Sequence, residues 1–350
     1  MLPLLKLFNK TENTGTFFGA VFDAAKLNLI LFKDGYPLCH AQEHLNHGVV
    51  VDGRIIDQDQ FNQLLNLCKE RCLAAQADER VHTIYFGAGG GNIVTTLTSA
   101  RQRRSPEDKI SKSVLTGMYK ELEQSALNTA LTEAYQTTGN DQLDLERVLN
   151  ETTYLKLDGE LTYNPVGESG ELLEAEVLAA YCAPSYVDSL ESAARSVRLT
   201  LGGVFPLQYL LARKLTAKLG DHYDATLLTI YTGFTDISVV FGGQLVKTLT
   251  LPLGNRELER DLDFWMDGAE LAFTNFSGVK TFAHNVFVCG EGLERTDFWE
   301  TLEWREWEEK VPFKTRPVFT KLDASYVDLP QDYKGDLLIC GLLSICNELV

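Results

Sequence analysis

Two stretches decide how this chain folds: Phe17–Leu45, FFGAVFDAAKLNLILFKDGYPLCHAQEHL, and Thr226–Leu251, TLLTIYTGFTDISVVFGGQLVKTLTL. Each is a series of short runs rich in aromatic and aliphatic residues, broken by turn residues, and reads as three strands in a meander. The first meander turns near Asp23–Lys26 and again at Lys33-Asp34-Gly35-Tyr36; the second turns after Gly233 and at Gly242-Gly243. Helical spacing follows each. Ile56–Ala77 repeats apolar residues at Phe61, Leu64, Leu65, Leu67, Cys68 and Cys72, with Asp57 or Asp59 as cap, and Glu257–Phe273 is amphipathic. The same unit twice is a weak internal duplication. It points to two related α/β lobes with a cleft between them.

Between the repeats, 81–183 reads as strand, helix (Glu107–Tyr135), strand (151–158) and strand (172–183), a compact α+β insertion. Helices are expected at Val187–Leu199 and Phe205–Leu219. After the second meander come a buried strand, Asn285–Cys289, an aromatic acidic helix, Phe298–Trp307, and a glycine-interrupted helix, Lys334–Leu349. The expected division is lobe 1 over 16–80 and 184–222, the insertion over 81–183, a reduced lobe 2 over 223–329, and a closing helix of lobe 1 over 330–350. A short leader, residues 1–15, precedes them.

Composition narrows the function classes. The 350 residues are 45% hydrophobic and 23% charged, as in soluble globular proteins. Lys plus Arg is 32 and Asp plus Glu is 49, a net charge of −17, which argues against nucleic acid or anionic lipid as a general partner. No window holds the roughly 18 uninterrupted apolar residues of a membrane helix, and the N-terminus has no full signal-peptide core. Seven cysteines without a CxxC pair read as reduced, mostly buried thiols in a cytosolic protein.

The ordered motifs resemble the actin-like superfamily, and within it the cell-division protein family FtsA and the pilus-assembly family PilM. Gly19–Leu31 is similar to the family's first phosphate loop. Tyr163-Asn164-Pro165-Val166-Gly167-Glu168-Ser169-Gly170, followed by Leu173–Val177, resembles the segment that closes the SHS2 insertion of FtsA. The second meander, ending at Thr235-Asp236, resembles the second phosphate loop, and Leu251–Asn255 the small loop after it. Val286–Gly292 resembles the adenosine loop, and Gly341-Leu342-Leu343 the helix that closes the first lobe. The resemblance implies an α/β, two-lobed actin-like fold (ribonuclease H-like, duplicated) with an α+β SHS2 insertion.

The same resemblance implies a degenerate nucleotide cleft. In the superfamily, two acid-then-glycine hairpins grip phosphates and Mg²⁺. Here the first acid and glycine fall at Val21 and Asp23, and the second pair at Thr229 and Tyr231. A tyrosine would fill the phosphate space. Asp23 would repel a phosphate by ~4 kcal/mol for unit charges about 4 Å apart at an effective dielectric of about 20, which Lys26 or Mg²⁺ would offset in part. The remaining cleft candidates are Asp23, Lys26, Gly233, Thr235, Asp236, Gly254, Gly290 and Gly292. The expectation is lost or weakened ATP binding, no cofactor and no ATP hydrolysis. A working Mg-ATPase with unusual loops, or a small-molecule sensor using a remodelled cleft, are the competing readings.

The family's long second-lobe subdomain is replaced by Arg256–His284 alone. FtsA uses that subdomain to bind FtsZ, so a direct FtsZ contact is not expected. The chain stops after the closing helix, as in PilM. The resemblance thus implies a non-catalytic, FtsA-type scaffold of cell division, or a PilM-like scaffold of the type IV pilus. It would lie at the cytoplasmic face of the membrane, binding cytoplasmic segments of membrane assembly proteins and self-associating through the insertion.

Other clusters read modestly. Arg101, Arg103 and Arg104 form the one dense basic patch. Trp299, Trp304 and Trp307 lie among glutamates, as a core face or a partner site. Cys39, His40, His44 and His47 do not match a known metal-ligand spacing. Gly87–Asn92 lacks the ending of a phosphate loop and reads as a bulge or turn. No nucleophile–base pair stands out.

Overall fold

The structure, a computed structural model, describes residues 15–76, 79–140, 143–276 and 278–349; the leader expected over 1–15 lies almost wholly outside them. Strands β1 (Thr16–Phe22), β2 (Lys26–Lys33) and β3 (Tyr36–His44) form the first meander, followed by a small ribbon of β4 (Val50–Val51) and β5 (Arg54–Ile55). Helix α1 (Gln58–Ala75) is capped by Asp57, whose side chain accepts the Gln60 N–H. Then β6 (Thr83–Ala88) pairs parallel with β1.

Two compact units follow from the packing. One comprises Val94–Pro184: β7 (Ile93–Arg103), α2 (Lys112–Thr138), β8 (Glu146–Leu157), the short β9 (Glu160–Leu161) and β10 (Leu172–Cys182), in sheet order β7-β10-β8-β9. Leu115, Met118, Leu122, Ala126 and Ala130 of α2 pack with Leu173, Ala175 and Val177 of the sheet. The sequence places the start of this insertion at 81; by contacts it starts at 94, because β6 belongs to the lobe 1 sheet.

The other unit contains both repeats. After α3 (Pro184–Ser196), β11 (Thr200–Pro206) joins β6 in parallel, and α4 (Leu207–Leu219) leads to the second meander: β12 (Ala225–Ile230), β13 (Thr235–Phe241) and β14 (Gln244–Leu251). Helices α5 (Asn255–Arg260) and α6 (Leu262–Thr274), strand β15 (Asn285–Gly290), helices α7 (Thr296–Trp304) and α8 (Trp307–Lys310) and strand β16 (Val318–Lys321) complete lobe 2. The sheet orders are β3-β2-β1-β6-β11 and β14-β13-β12-β15-β16, each three antiparallel strands followed by two parallel ones. This is the duplication expected from the two meanders. β1 and β2 are buried along nearly their whole length, as for a sheet covered on both faces.

Two strands escape a sequence reading. β11 holds Gly202 and Gly203, poor strand formers, yet a Cβ on Gly202 would come within 2.4 Å of the Tyr85 ring, so glycine lets the chain lie against β6. β16 is four residues long. The expected helix 298–307 is split: α7 ends at Trp304 and α8 begins at Trp307. The closing segment is α9 (Gly335–Gly341), a 3₁₀ turn over Leu342–Ile345, and α10 (Cys346–Leu349). It packs on lobe 1, where the Cys340 thiol lies 3.6 Å from the Gly19 carbonyl.

Candidate functional site

The two tight turns that join β1 to β2 and β12 to β13 touch each other. Asp23 Oδ1 accepts the N–H groups of Ala25 (2.7 Å) and Lys26 (3.0 Å), which fixes the first turn from within. Its other oxygen accepts the Thr232 N–H of the second turn at 3.2 Å. The Lys26 ammonium is paired with Glu291 and, at 3.2 Å, with Asp336 of α9, while Thr232 Oγ1 donates to Glu291 at 2.8 Å. Asp23, Lys26, Thr232, Glu291 and Asp336 therefore form one polar network between the lobes.

Three carboxylates converge on this network. Oxygens of Asp23, Glu291 and Asp336 lie within 4.8 Å of one another, a spacing a cation could bridge, and the Lys26 ammonium neutralises part of that charge. Burial, then the charges of Glu291 and Asp23, push the Asp336 carboxyl up to about 8. Burial works against the Lys26 charge, but the bonds and charges of Glu291 and Asp336 outweigh it and hold the ammonium above its ordinary range. The sign for stability follows. Between its ordinary value of 3.8 and about 8, Asp336 holds a proton when folded and releases it on unfolding. Stability is thus expected to fall as pH rises through 6 to 8 and to level off above 8. Urea unfolding at pH 6, 7 and 8 measures this, and Asp336→Asn should flatten the profile; a flat profile in the native chain would contradict the assignment.

A second network lies deeper. Asp236, 1% exposed, accepts the Gly90 N–H (3.0 Å), the Thr250 hydroxyl (2.7 Å) and the Gln208 amide (3.5 Å). Gln208 also donates to the Tyr231 hydroxyl at 3.3 Å and accepts from Thr229 at 3.2 Å. Tyr231 stacks on Phe234 with ring centroids 4.4 Å apart; the Tyr231 ring lies against Gly89 and the Phe234 ring against Gly90. The Gly90 N–H, a backbone donor at a glycine-rich turn, is thus occupied by a side chain of this chain.

Little space remains between the turns. Val21, Phe22, Asp23, Asn28, Tyr231, Asp336 and Ile339 line a cavity of about 10 Å³, room for roughly one water. Beside it an open cleft of about 820 Å³ runs past Lys26, Glu291, Lys321, Tyr333 and Lys334.

The other residues singled out in the sequence are placed as follows. Thr235 donates to the Leu253 carbonyl at 2.7 Å. A Cβ on Gly254 would meet the Tyr231 carbonyl and the Phe234 nitrogen at 2.4 Å, so glycine lets α5 start against the second turn. Gly290 and Gly292 have φ of +109° and +75° and frame Glu291, whereas a Cβ on Gly233 would meet nothing. Arg101 pairs with Glu174 at 2.8 Å, Arg103 is exposed, and Arg104 donates to the Lys109 carbonyl, all in the Val94–Pro184 unit. Trp307, 1% exposed, is core; Trp299 is half-buried and donates to the Leu293 carbonyl; Trp304 is 80% exposed. His40 packs edge-on against Tyr333. Sequence reading missed Gly90, Gln208, Tyr231 as a hydrogen-bonding group, Thr232, Glu291 and Asp336. No local signal marks them, since Asp336 lies 310 positions from Lys26 and Gly90 lies 146 from Asp236.

Two lobes of one strand order, joined by a seam between corresponding turns, define an actin-like fold. No protein-family model matches the chain, and no curated protein matches it. Among solved structures it is similar to a chain of the PilM–PilN type IV pilus biogenesis complex, with a TM-score of 0.64 and 12% identity, covering 94% of this chain and 98% of that one. It is also similar to the ethanolamine utilization protein EutJ of Carboxydothermus hydrogenoformans (TM-score 0.44, 11% identity, 95% of this chain and 88% of that one). A Bacteroides thetaiotaomicron protein with an actin-like ATPase fold gives 0.43 and 10%, covering 97% of this chain and 99% of that one. The fold is actin-like, and it matches that of the PilM–PilN complex chain along almost its full length.

Proposed function

We propose that this chain is a non-catalytic, PilM-like scaffold that works by protein contacts at the cytoplasmic face of a membrane, on cytoplasmic segments of assembly proteins. The observation that carries the non-catalytic part is the direct contact of the two turns, with Asp23 on the Thr232 N–H and Tyr231 and Phe234 against Gly89 and Gly90. The backbone donors and space that a phosphate would use are taken by the protein itself. The assembly role is supported by the likeness to the PilM–PilN complex chain; the cell-division role expected from FtsA is the less favoured form. Among the described residues no helix is long and apolar enough to cross a membrane.

The open cleft of about 820 Å³ favours a second reading, an ATPase with unusual loops that opens at the seam. Thermal unfolding with and without about 1 mM Mg-ATP separates the two. A site with a Kd of ~10 μM would add about 2.7 kcal/mol, a shift of several degrees. The scaffold reading expects no Mg-dependent shift; a clear one would replace it with the ATPase reading.

A further inference from the structure

Helix α6 buries Trp265, Met266, Ala269, Ala272 and Phe273 in the lobe 2 core. Its outer face sets two large apolar side chains among the polar ones such a helix ordinarily shows. Phe264 is 49% and Leu271 62% exposed, seven residues apart and so on one stripe, with exposed Asp267 between them. Arg305, just past the end of α7, pairs with Asp267 and, at 2.9 Å, with Glu270, which fixes the end of α7 beside that stripe. The preceding residue is Trp304, the exposed tryptophan.

The segments that carry these apolar side chains are predominantly acidic, with Arg295 on Asp297 and Arg316 on the Glu303 carbonyl as neighbouring bases. Residues 261–276 hold four acids and no base; residues 296–310 hold six acids and two bases. Both bases, Arg305 and Lys310, are already bound to Glu270. An exposed tryptophan alone would suit a lipid interface, but this rim repels anionic headgroups. It equally repels a second copy of the same face. Large apolar side chains set in negative charge fit an apolar stripe edged by Lys and Arg.

We infer that the outer face of α6 with Trp304 docks a basic amphipathic segment of a membrane protein, of the kind found where a chain leaves the membrane on its cytoplasmic side, where Lys and Arg are enriched. This rests on the scaffold reading and names its partner's chemistry.

The probe is a fluorescein-labelled 20-residue helical peptide with leucines on one face and lysines on the other, titrated with the full chain by anisotropy. A matched leucine–glutamate peptide and phosphatidylglycerol vesicles are the comparisons. The lysine peptide is expected to bind and to weaken with salt. Trp304→Ser, Leu271→Ser and the pair Glu300→Lys with Glu303→Lys should each weaken it about tenfold or more at an unchanged unfolding midpoint. Arg101→Ser with Arg103→Ser should leave it unchanged. Equal binding of the two peptides, unaltered affinity in the α6 and α7 variants, preferential binding to the vesicles, or a dimer that Trp304→Ser dissolves would each overturn the proposal. If the peptide ignores this face while Mg-ATP gives no thermal shift, the docking surface is wrong and the scaffold reading stands. A Mg-ATP shift removes the scaffold reading whatever the peptide does.

Discussion

Gly290→Ala is expected to lower stability by about 3 kcal/mol or more, or to prevent accumulation of folded protein. Gly290 ends β15 at φ +109°, a region that a residue with a Cβ enters only under strain. An added Cβ would lie 2.0 Å from the Ile230 carbonyl oxygen and 2.8 Å from the Ile230 nitrogen. These atoms belong to a neighbouring strand, so no side chain can swing aside. Relief would have to move β12 against β15, and with them the turn that carries Tyr231 and Thr232. Gly233→Ala is the matched control: its Cβ meets nothing within 4 Å, so a change of about 0.5 kcal/mol or less is expected there. Urea unfolding midpoints of the two variants decide the matter, and equal losses would contradict the backbone-contact account.

Asp236→Ala should cost about 3 kcal/mol or more, because three donors lose their acceptor at once: the Gly90 N–H, the Thr250 hydroxyl and the Gln208 amide. Asp236→Asn keeps the shape and one acceptor oxygen and should recover part of the loss. Burial, the largest influence, pushes the Asp236 carboxyl up to about 6 despite those donors. A carboxyl that binds its proton more tightly when folded makes stability fall as pH rises, here between its ordinary 3.8 and about 6, with a plateau above. Asp236→Asn should remove that contribution, making the profile shallower below pH 6, and leave the slope that Asp336 supplies from 3.8 up to about 8. An Asn variant with the native slope between pH 4 and 6 would show that another group is responsible.

The legibility of the fold was uneven for physical reasons. The meanders were plain because strands bounded by Asp34-Gly35 and Gly242-Gly243 carry both their period and their turn chemistry locally. α1 was plain because Asp57 caps it and Phe61, Leu65, Cys68 and Cys72 mark its buried face. β11 was invisible because its glycines serve the close approach to Tyr85, a requirement set by a partner more than a hundred residues away. The aromatic helix was read as one piece because Trp304 and Trp307 sit at helical spacing. Only the tie from Arg305 to Asp267 and Glu270 shows why it breaks there, with one tryptophan turned to solvent and the other to the core.

The site divides the same way. The resemblance of the two meanders to phosphate loops singles out Asp23, Lys26 and Asp236, and the expected mismatch at Val21, Asp23, Thr229 and Tyr231 rests on that same resemblance. Yet the expectation that Lys26 offsets Asp23 missed its actual partners, Glu291 and Asp336. Alternating pattern, turn residues and repeated order are local properties, so the sequence alone determined the duplicated α/β lobes. Which carboxylate meets which donor across the seam depends on where the second sheet and the closing helix come to rest. That placement is decided by the packing of many distant apolar residues, and only the tertiary structure contains it.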